Sequence, residues 1–338
     1  MNGGTTVPKR TITTLLGAAL ALLIAAPAEA TLVYVKGSGG ADPRVWVAQD
    51  DGSQAHRIGR GHSPKVSDDG RWVAWVRPGS PDRLMMRLAD RRRKARVVAR
   101  STLVGEFRFS HDSKSLGMVL GRRLFAYDIR ERDEVRVASG NIRGFSFSPD
   151  SRSIVFGTSG RNGAFDAPSD LYSVEVADRR RSRITRDRKS LNPLWGADGI
   201  YHDRMRARPG DAPSYNLFSI QPDGGSLRRV TSLRIPSGMS GLVPVELSGS
   251  GRRMLATFIG HGTSVAFRVN LESGKSKALD SDFENGLLGF DLTTDGRTVL
   301  GHTGGPDPGA LHDVVTIPYA GGEPRVLVRR AAFPDWNL

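Results

Sequence analysis

An all-β chain folded as a single β-propeller, a ring of four-stranded blades, is the fold class that this sequence predicts. Three observations lead there. A four-residue turn recurs at blade-length intervals, strand-like apolar runs flank each turn, and helical spacing is supported nowhere after residue 30. The turn reads SDDG at 67–70, SHDS at 110–113, SPDS at 148–151, GADG at 196–199, SGSG at 248–251 and TTDG at 293–296. Its third residues lie 43, 38, 48, 52 and 45 positions apart, which fits a propeller blade and is too long for leucine-rich or ankyrin repeats. Ser or Thr first, Pro tolerated second, Asp third and Gly fourth describe a type I turn whose last residue goes left-handed, a hairpin signal.

In chain order, the first thirty residues stand apart from the fold. Lys9 and Arg10 precede an apolar run from 12 to 26, followed by Pro27 and the small-residue site Ala28-Glu29-Ala30. A positive flank, a run too short to span a bilayer comfortably and an A-x-A ending mark a cleaved signal peptide. Residues 1–30 are therefore expected to be removed and the mature domain, 31–338, to be exported. No later segment is apolar enough to cross a membrane.

Each repeat then supplies four strands. First strands such as FRF at 107–109, FSF at 145–147 and LVPVEL at 242–247 alternate, whereas second strands such as WVAWV at 72–76, SLGMVL at 115–120 and RRMLATF at 252–258 are more continuously apolar. Continuous apolar runs are expected of strands covered on both faces by neighbouring blades. Third strands read RLMMRL, RLFAYDI, DLYSVEV, YNLFSI, SVAFRVN and HDVVTI, and fourth strands ARVVA, VRVAS, SRIT, RRVT, SKAL and PRVLV. The two ends complete the set. Residues 32–59 hold a second, third and fourth strand without a first, and AAFPDWNL at 331–338 is a first-strand-like segment left over. Pairing of Phe333 to Leu338 with Leu32 to Val35 is expected to close a ring of seven blades, with six as the alternative count, because an open ring exposes a strand edge.

The order of turn, apolar strand, LYxV strand, short turn and RxxT strand, with SFSPDSRSIVFG as its best copy, resembles the TolB-type repeat, a relative of WD repeats. The resemblance covers nearly all of 31–338 and departs from the pattern at GADG and SGSG, where the Ser-Pro-Asp core is lost. It implies a secreted or otherwise extracytoplasmic bacterial propeller that offers one face to a protein or cell-envelope partner.

Composition narrows the chemistry. The chain has no cysteine, which excludes disulfides, thiol nucleophiles and thiolate metal sites. A net charge of +14 favours contact with an anionic wall or membrane surface. The basic turns at 91–94 and 179–181 contain no interleaved aromatic residues, which argues against nucleic acid. No G-x-S-x-G elbow occurs, and Gly274-Lys275-Ser276 lacks the upstream glycine of a phosphate loop.

In a propeller the first-to-second and third-to-fourth turns lie on one face and the other connections on the opposite face. Three connections of the second kind are long, at 157–170, 203–216 and 301–313. Long loops on a rigid scaffold are where binding usually resides. Arg161, Phe165, Asp166, Arg206, Arg208 and Tyr215 are accordingly the expected partner-binding residues of a non-catalytic recognition scaffold that needs no cofactor. The alternative is a metal-assisted lyase or hydrolase acting on an acidic polysaccharide, similar to secreted oligogalacturonate lyases. It would hold one divalent metal on His202, His302 and His312, although none of these forms an H-x-H or H-E-x-x-H pair.

Overall fold

The computed structural model describes residues 30–338 except 39, 41, 91–93, 160–166, 168, 209, 261–263, 280–285 and 305–310, together with residues 1 and 3. The expected signal segment therefore lies almost wholly outside the described residues, as do Arg161, Phe165 and Asp166. Among the described residues every regular element is a β-strand, and no helix is long and apolar enough to cross a membrane.

Sheet A begins with β1 (Thr31–Lys36), β2 (Arg44–Gln49) and β3 (His56–Arg60). Sheet B is β4 (His62–Val66), β5 (Trp72–Arg77), β6 (Asp82–Leu88) and β7 (Arg96–Ser101); sheet C is β8 (Val104–Phe109), β9 (Ser115–Leu120), β10 (Arg123–Asp128) and β11 (Glu134–Ser139). Sheet D is β12 (Asn141–Phe147), β13 (Ser153–Ser159), β14 (Ser169–Glu175) and β15 (Arg181–Arg183). Sheet E has two halves. The first is β16 (Ser190–Gly196), β17 (Gly199–Arg208), β18 (Asp211–Ile220) and β19 (Arg228–Arg229); the second is β20 (Gly241–Leu247), β21 (Arg253–Ile259), β22 (Ser264–Asn270) and β23 (Ser276–Ala278). A single parallel bridge, Tyr215 to Gly241, joins the halves. Sheet F is β24 (Leu287–Leu292), β25 (Thr298–Thr303), β26 (Val314–Pro318) and β27 (Arg325–Val328). The last strand, β28 (Ala331–Trp336), pairs antiparallel with β1, matching Leu32 to Trp336, Val33 to Asp335 and Lys36 to Ala331.

The core is a series of apolar layers between successive sheets, which is why the second strands read as unbroken apolar runs. Val33, Val45 and Val47 meet Val73, Trp75 and Met85 between A and B. Leu84 and Met86 meet Phe107 and Met118 between B and C, and Leu124 and Ala126 meet Phe145 and Phe156 between C and D. Leu171 meets Ile200 and Ile220 between D and E, Tyr201 and Leu217 meet Leu242 and Met254 between the halves of E, and Leu255 meets Leu287 and Val299 between E and F. Leu300 and Val314 of sheet F then pack on Leu32, Tyr34 and Trp336 of sheet A. The layers are thin enough to dictate glycine at Gly117, where a Cβ would come within 2.5 Å of the Phe145 ring.

The recurrent turn is held by its own side chains. Ser67 Oγ donates to Asp69 Oδ1 at 2.5 Å and accepts from the Trp72 amide at 2.9 Å, while Asp69 Oδ1 accepts from the Arg71 amide at 3.0 Å. Ser110 with Asp112, Ser148 with Asp150, and Thr293 with Asp295 repeat the arrangement. In SGSG the aspartate is replaced by Ser250, and the corresponding contacts lengthen to 3.2 Å and 3.4 Å. In GADG the strands pair as far as Gly196 and Gly199, so the turn is tighter.

One expectation changes. The segment 203–216, read as a long irregular loop, is most of a regular hairpin in which β17 and β18 stay paired from Ile200↔Ile220 to Arg208↔Asp211. The reason is a strap at 233–240 that runs against it. Arg208 donates to the carbonyls of Ile235 and Pro236, and Asp211 accepts from Ser237 Oγ and the Gly238 amide.

Candidate functional site

First strands line a central channel. A cavity of about 520 Å³ opens there, bounded by β4, β8, β12, β16, β20, β24 and β28 and by turn residues Asp68, His111, Pro149 and Gly249 at its mouth. Its mouth is thus on the face of the first-to-second turns, opposite the long connections. Alternation along each first strand places one residue per sheet, two before the start of the turn, toward the channel: Lys65, Arg108, Ser146, Glu246 and Asp291, with Asp335 in the corresponding place on β28. On β16, Leu194 and Trp195 fill the wall instead.

These side chains divide by charge. Asp335 accepts from Lys65 Nζ at 2.6 Å and from the Val66 amide at 2.8 Å, so it ties the last strand to sheet B. Arg108 is held by Glu106 at 2.7 Å and faces Glu246 at 3.8 Å. Arg108 belongs to sheet C and Glu246 to the second half of sheet E, which do not adjoin, so this pair reaches across the channel. Burial and the neighbouring Asp335 and Glu246 push the Asp291 carboxyl well above its ordinary range. Burial also raises Asp335, against the pull of Lys65. At the rim, the hydrogen bond that His111 Nδ1 donates to Asp68 Oδ2, 3.2 Å away, raises the His111 imidazole. A cationic side, Lys65 and Arg108, thus confronts an acidic side, Glu246, Asp291 and Asp335, in a half-buried space where charge is weakly screened.

The expected site residues that are described lie outside the channel lining. Arg206 is exposed on β17. Arg208 is tied to Asp211 and the strap, and Tyr215 is only 4% exposed, so it packs inside the protein instead of presenting a ring to a partner. His302 and His312 come together, with ring centroids 4.3 Å apart and both Nδ1 atoms at the Thr303 carbonyl. His202 is in sheet E, stacked on Phe218, with its Nδ1 at the Asp203 carbonyl. Burial lowers His202 and His302 to about 4, so both are neutral imidazoles. Among the described residues no three His, Asp or Glu side chains are grouped to hold a metal, and the three candidate ligands are divided between two sheets. The channel charges escaped the sequence reading, yet a signal was present in the column two places before each turn.

No protein-family model and no curated protein matches the chain in sequence. Solved structures do match in fold. TolB from Acinetobacter baumannii aligns over 92% of this chain and 67% of its own, at 14% identity and a TM-score of 0.54. The β-propeller domain of the Trilobed protease from Pyrococcus furiosus aligns over 89% and 92%, at 13% identity and a TM-score of 0.65. An oligogalacturonate lyase in complex with manganese aligns over 89% and 85%, at 15% identity and a TM-score of 0.61. At these identities the likeness is one of fold: the chain has an all-β, TolB-like propeller architecture.

Proposed function

We propose that the chain is an exported, non-catalytic recognition scaffold: a closed propeller of seven blades that holds a polar segment of a protein or cell-envelope partner at its channel mouth. Taking the halves of sheet E as two blades makes seven units, and the seven apolar layers, ending with F on A, support closure. The signal-peptide-like sequence at 1–30 and the TolB-like fold support an extracytoplasmic location.

The polarised channel is the observation that carries the functional reading. Arg108 and Glu246 at 3.8 Å are close enough to attract and too far apart for a good hydrogen bond, so an incoming segment with its own donors and acceptors replaces the pair at little cost. In this reading the partner approaches the short-turn face, not the long connections. The experiment is affinity capture from envelope extracts with the intact protein, Arg108→Ala, Glu246→Gln and, on the long-connection face, Arg206→Ala. Loss of the captured partner in the two channel variants, with Arg206→Ala unaffected, is the expected result. The opposite pattern sinks the channel assignment.

A further inference from the structure

A second concave surface, separate from the channel, lies between sheets C and D. It is a cleft of about 710 Å³ whose lining includes Arg122, Arg123, Arg136, Arg183 and Arg188, with Asp170 as the one carboxylate among the described lining residues. The arginines come from three pieces of chain: Arg122 in the β9–β10 turn with Arg123 opening β10, Arg136 on the edge strand β11, and Arg183 at the end of the edge strand β15 with Arg188 in the link to β16. Fourth-to-first links and second-to-third turns share a face, so the cleft opens on the side opposite the channel mouth.

Asp170 does not neutralise this wall. Its Oδ2 accepts from Arg183 Nη2 at 2.7 Å, and its Oδ1 accepts from Thr185 Oγ1 at 3.1 Å and from the Arg188 amide at 3.0 Å. The carboxylate is buried and consumed in fixing Arg183 and the backbone of Arg188. Among the described residues no acidic side chain pairs with Arg123, Arg136 or the Arg188 guanidinium. Repulsion among exposed guanidinium groups on one concave wall is a standing cost, which an anion relieves.

We infer that the cleft between sheets C and D binds a linear polyanion, a flexible chain carrying phosphate or carboxylate groups at regular spacing. Guanidinium groups meet such oxyanions through paired N–H donors. A single small anion satisfies one or two of them, whereas the arginines are spread along both walls of an open groove. Each exposed contact is weak in salt, so useful affinity requires several at once on one chain. Single-stranded nucleic acid is disfavoured because Tyr172, the aromatic side chain among the described lining residues, is already covered by Arg181, whose guanidinium sits 3.8 Å from the ring centroid.

The test measures binding of labelled polyphosphate and of an oligogalacturonate of equal charge to the purified protein by fluorescence anisotropy. The comparison is between the intact chain, the pair Arg123→Ser with Arg136→Ser, and a control of equal charge loss on the opposite face, Arg130→Ser with Arg152→Ser. All four arginines are exposed, and thermal melts verify that both variants fold. The cleft pair is expected to weaken binding about ten-fold, as for two charge-assisted contacts partly screened by solvent, and the control less than about two-fold. The tighter of the two probes identifies the anionic group. Equal weakening in both variants means that net charge alone is responsible and overturns the site. Inorganic phosphate competing as well as polyphosphate at equal phosphorus overturns the chain requirement, and absence of binding to either polymer overturns the proposal outright.

Discussion

Ser113 and Ser151 hold left-handed backbone, with φ of 57° and 62°, at the turn position where Gly70, Gly251 and Gly296 stand in other repeats. A side chain there costs about 1 kcal/mol. The compensation comes from the neighbouring sheet: Ser113 Oγ accepts from the Asp69 amide at 3.0 Å, and Ser151 Oγ accepts from the Asp112 amide at 3.1 Å. Ser113→Gly loses this bond but relieves the strain, so its urea midpoint should stay near the parent's. Ser113→Ala keeps the strain and orphans the amide, and should lose about 1–2 kcal/mol; a Ser113→Ala midpoint equal to the parent's would refute the cross-sheet role. Asp203 offers a pH test. Burial raises its carboxyl from 3.8 to about 7, against the pull of Asn192 Nδ2, which donates to it at 3.1 Å. The native state therefore keeps a proton that the unfolded chain releases near pH 4, and stability falls as pH rises from about 4 to 7. His202 and His302, lowered to about 4, act in the opposite sense: their contribution is present above about 6.5 and is lost as pH falls toward 4. Comparison with Asp203→Asn isolates the first effect. The variant should match the parent near pH 4 and exceed it at pH 8 in chemical denaturation.

Among the elements, the hairpin of β17 and β18 shows how far local signals carry. Pro209, Gly210 and Pro213 look like loop punctuation, and nothing within 203–216 states that the strands continue. They continue because Asp211 gathers Ser237 Oγ, the Gly238 amide and Arg208, contacts that pull its carboxyl down to about 2. The partners of Asp211 in the strap lie some two dozen residues away, so this structure was not legible locally. The turns were legible for the converse reason, since Ser67, Asp69 and the Trp72 amide complete their bonds within six residues. Asp211→Ala should release the strap, raising amide hydrogen exchange in 233–240 while leaving β12–β14 protected. Unchanged exchange there would show that the strap is held without Asp211, by Ile235 packing and the Arg208 bonds to the Ile235 and Pro236 carbonyls. The channel column was legible only in principle. Lys65, Arg108, Glu246, Asp291 and Asp335 each resemble the polar face of an ordinary half-exposed strand, and their meaning depends on sheets converging on one axis.

At the scale of the whole molecule, the proposed ring closes at the junction of F with A, where Leu300 and Val314 pack on Leu32, Tyr34 and Trp336 and the two ends of the described fold meet. β28 fills the inner position of sheet A, covers Leu32 and Tyr34 with Ala331 and Trp336, and sends Asp335 to both Lys65 and the Val66 amide in sheet B. The same carboxylate belongs to the acidic side of the channel, so the proposed closure and the polarity of the candidate site share one residue. A chain ending at Ala331 removes the Trp336 ring, most of the β1–β28 ladder and the counter-charge of Lys65 together. Burial of one large aromatic side chain is worth about 3 kcal/mol, and the unpaired strand edge adds to the loss, so a drop of at least that size is expected, with a lower melting temperature and a tendency to self-associate. Asp335→Asn separates the contributions: it keeps strand and ring while deleting the charge, and should melt between the truncated and intact chains. A synthetic peptide spanning 331–338, added in excess, should restore part of the melting temperature of the truncated protein by occupying the vacant strand position. A truncated chain that melts like the intact one, with no response to the peptide, would show that the ring does not depend on this strand.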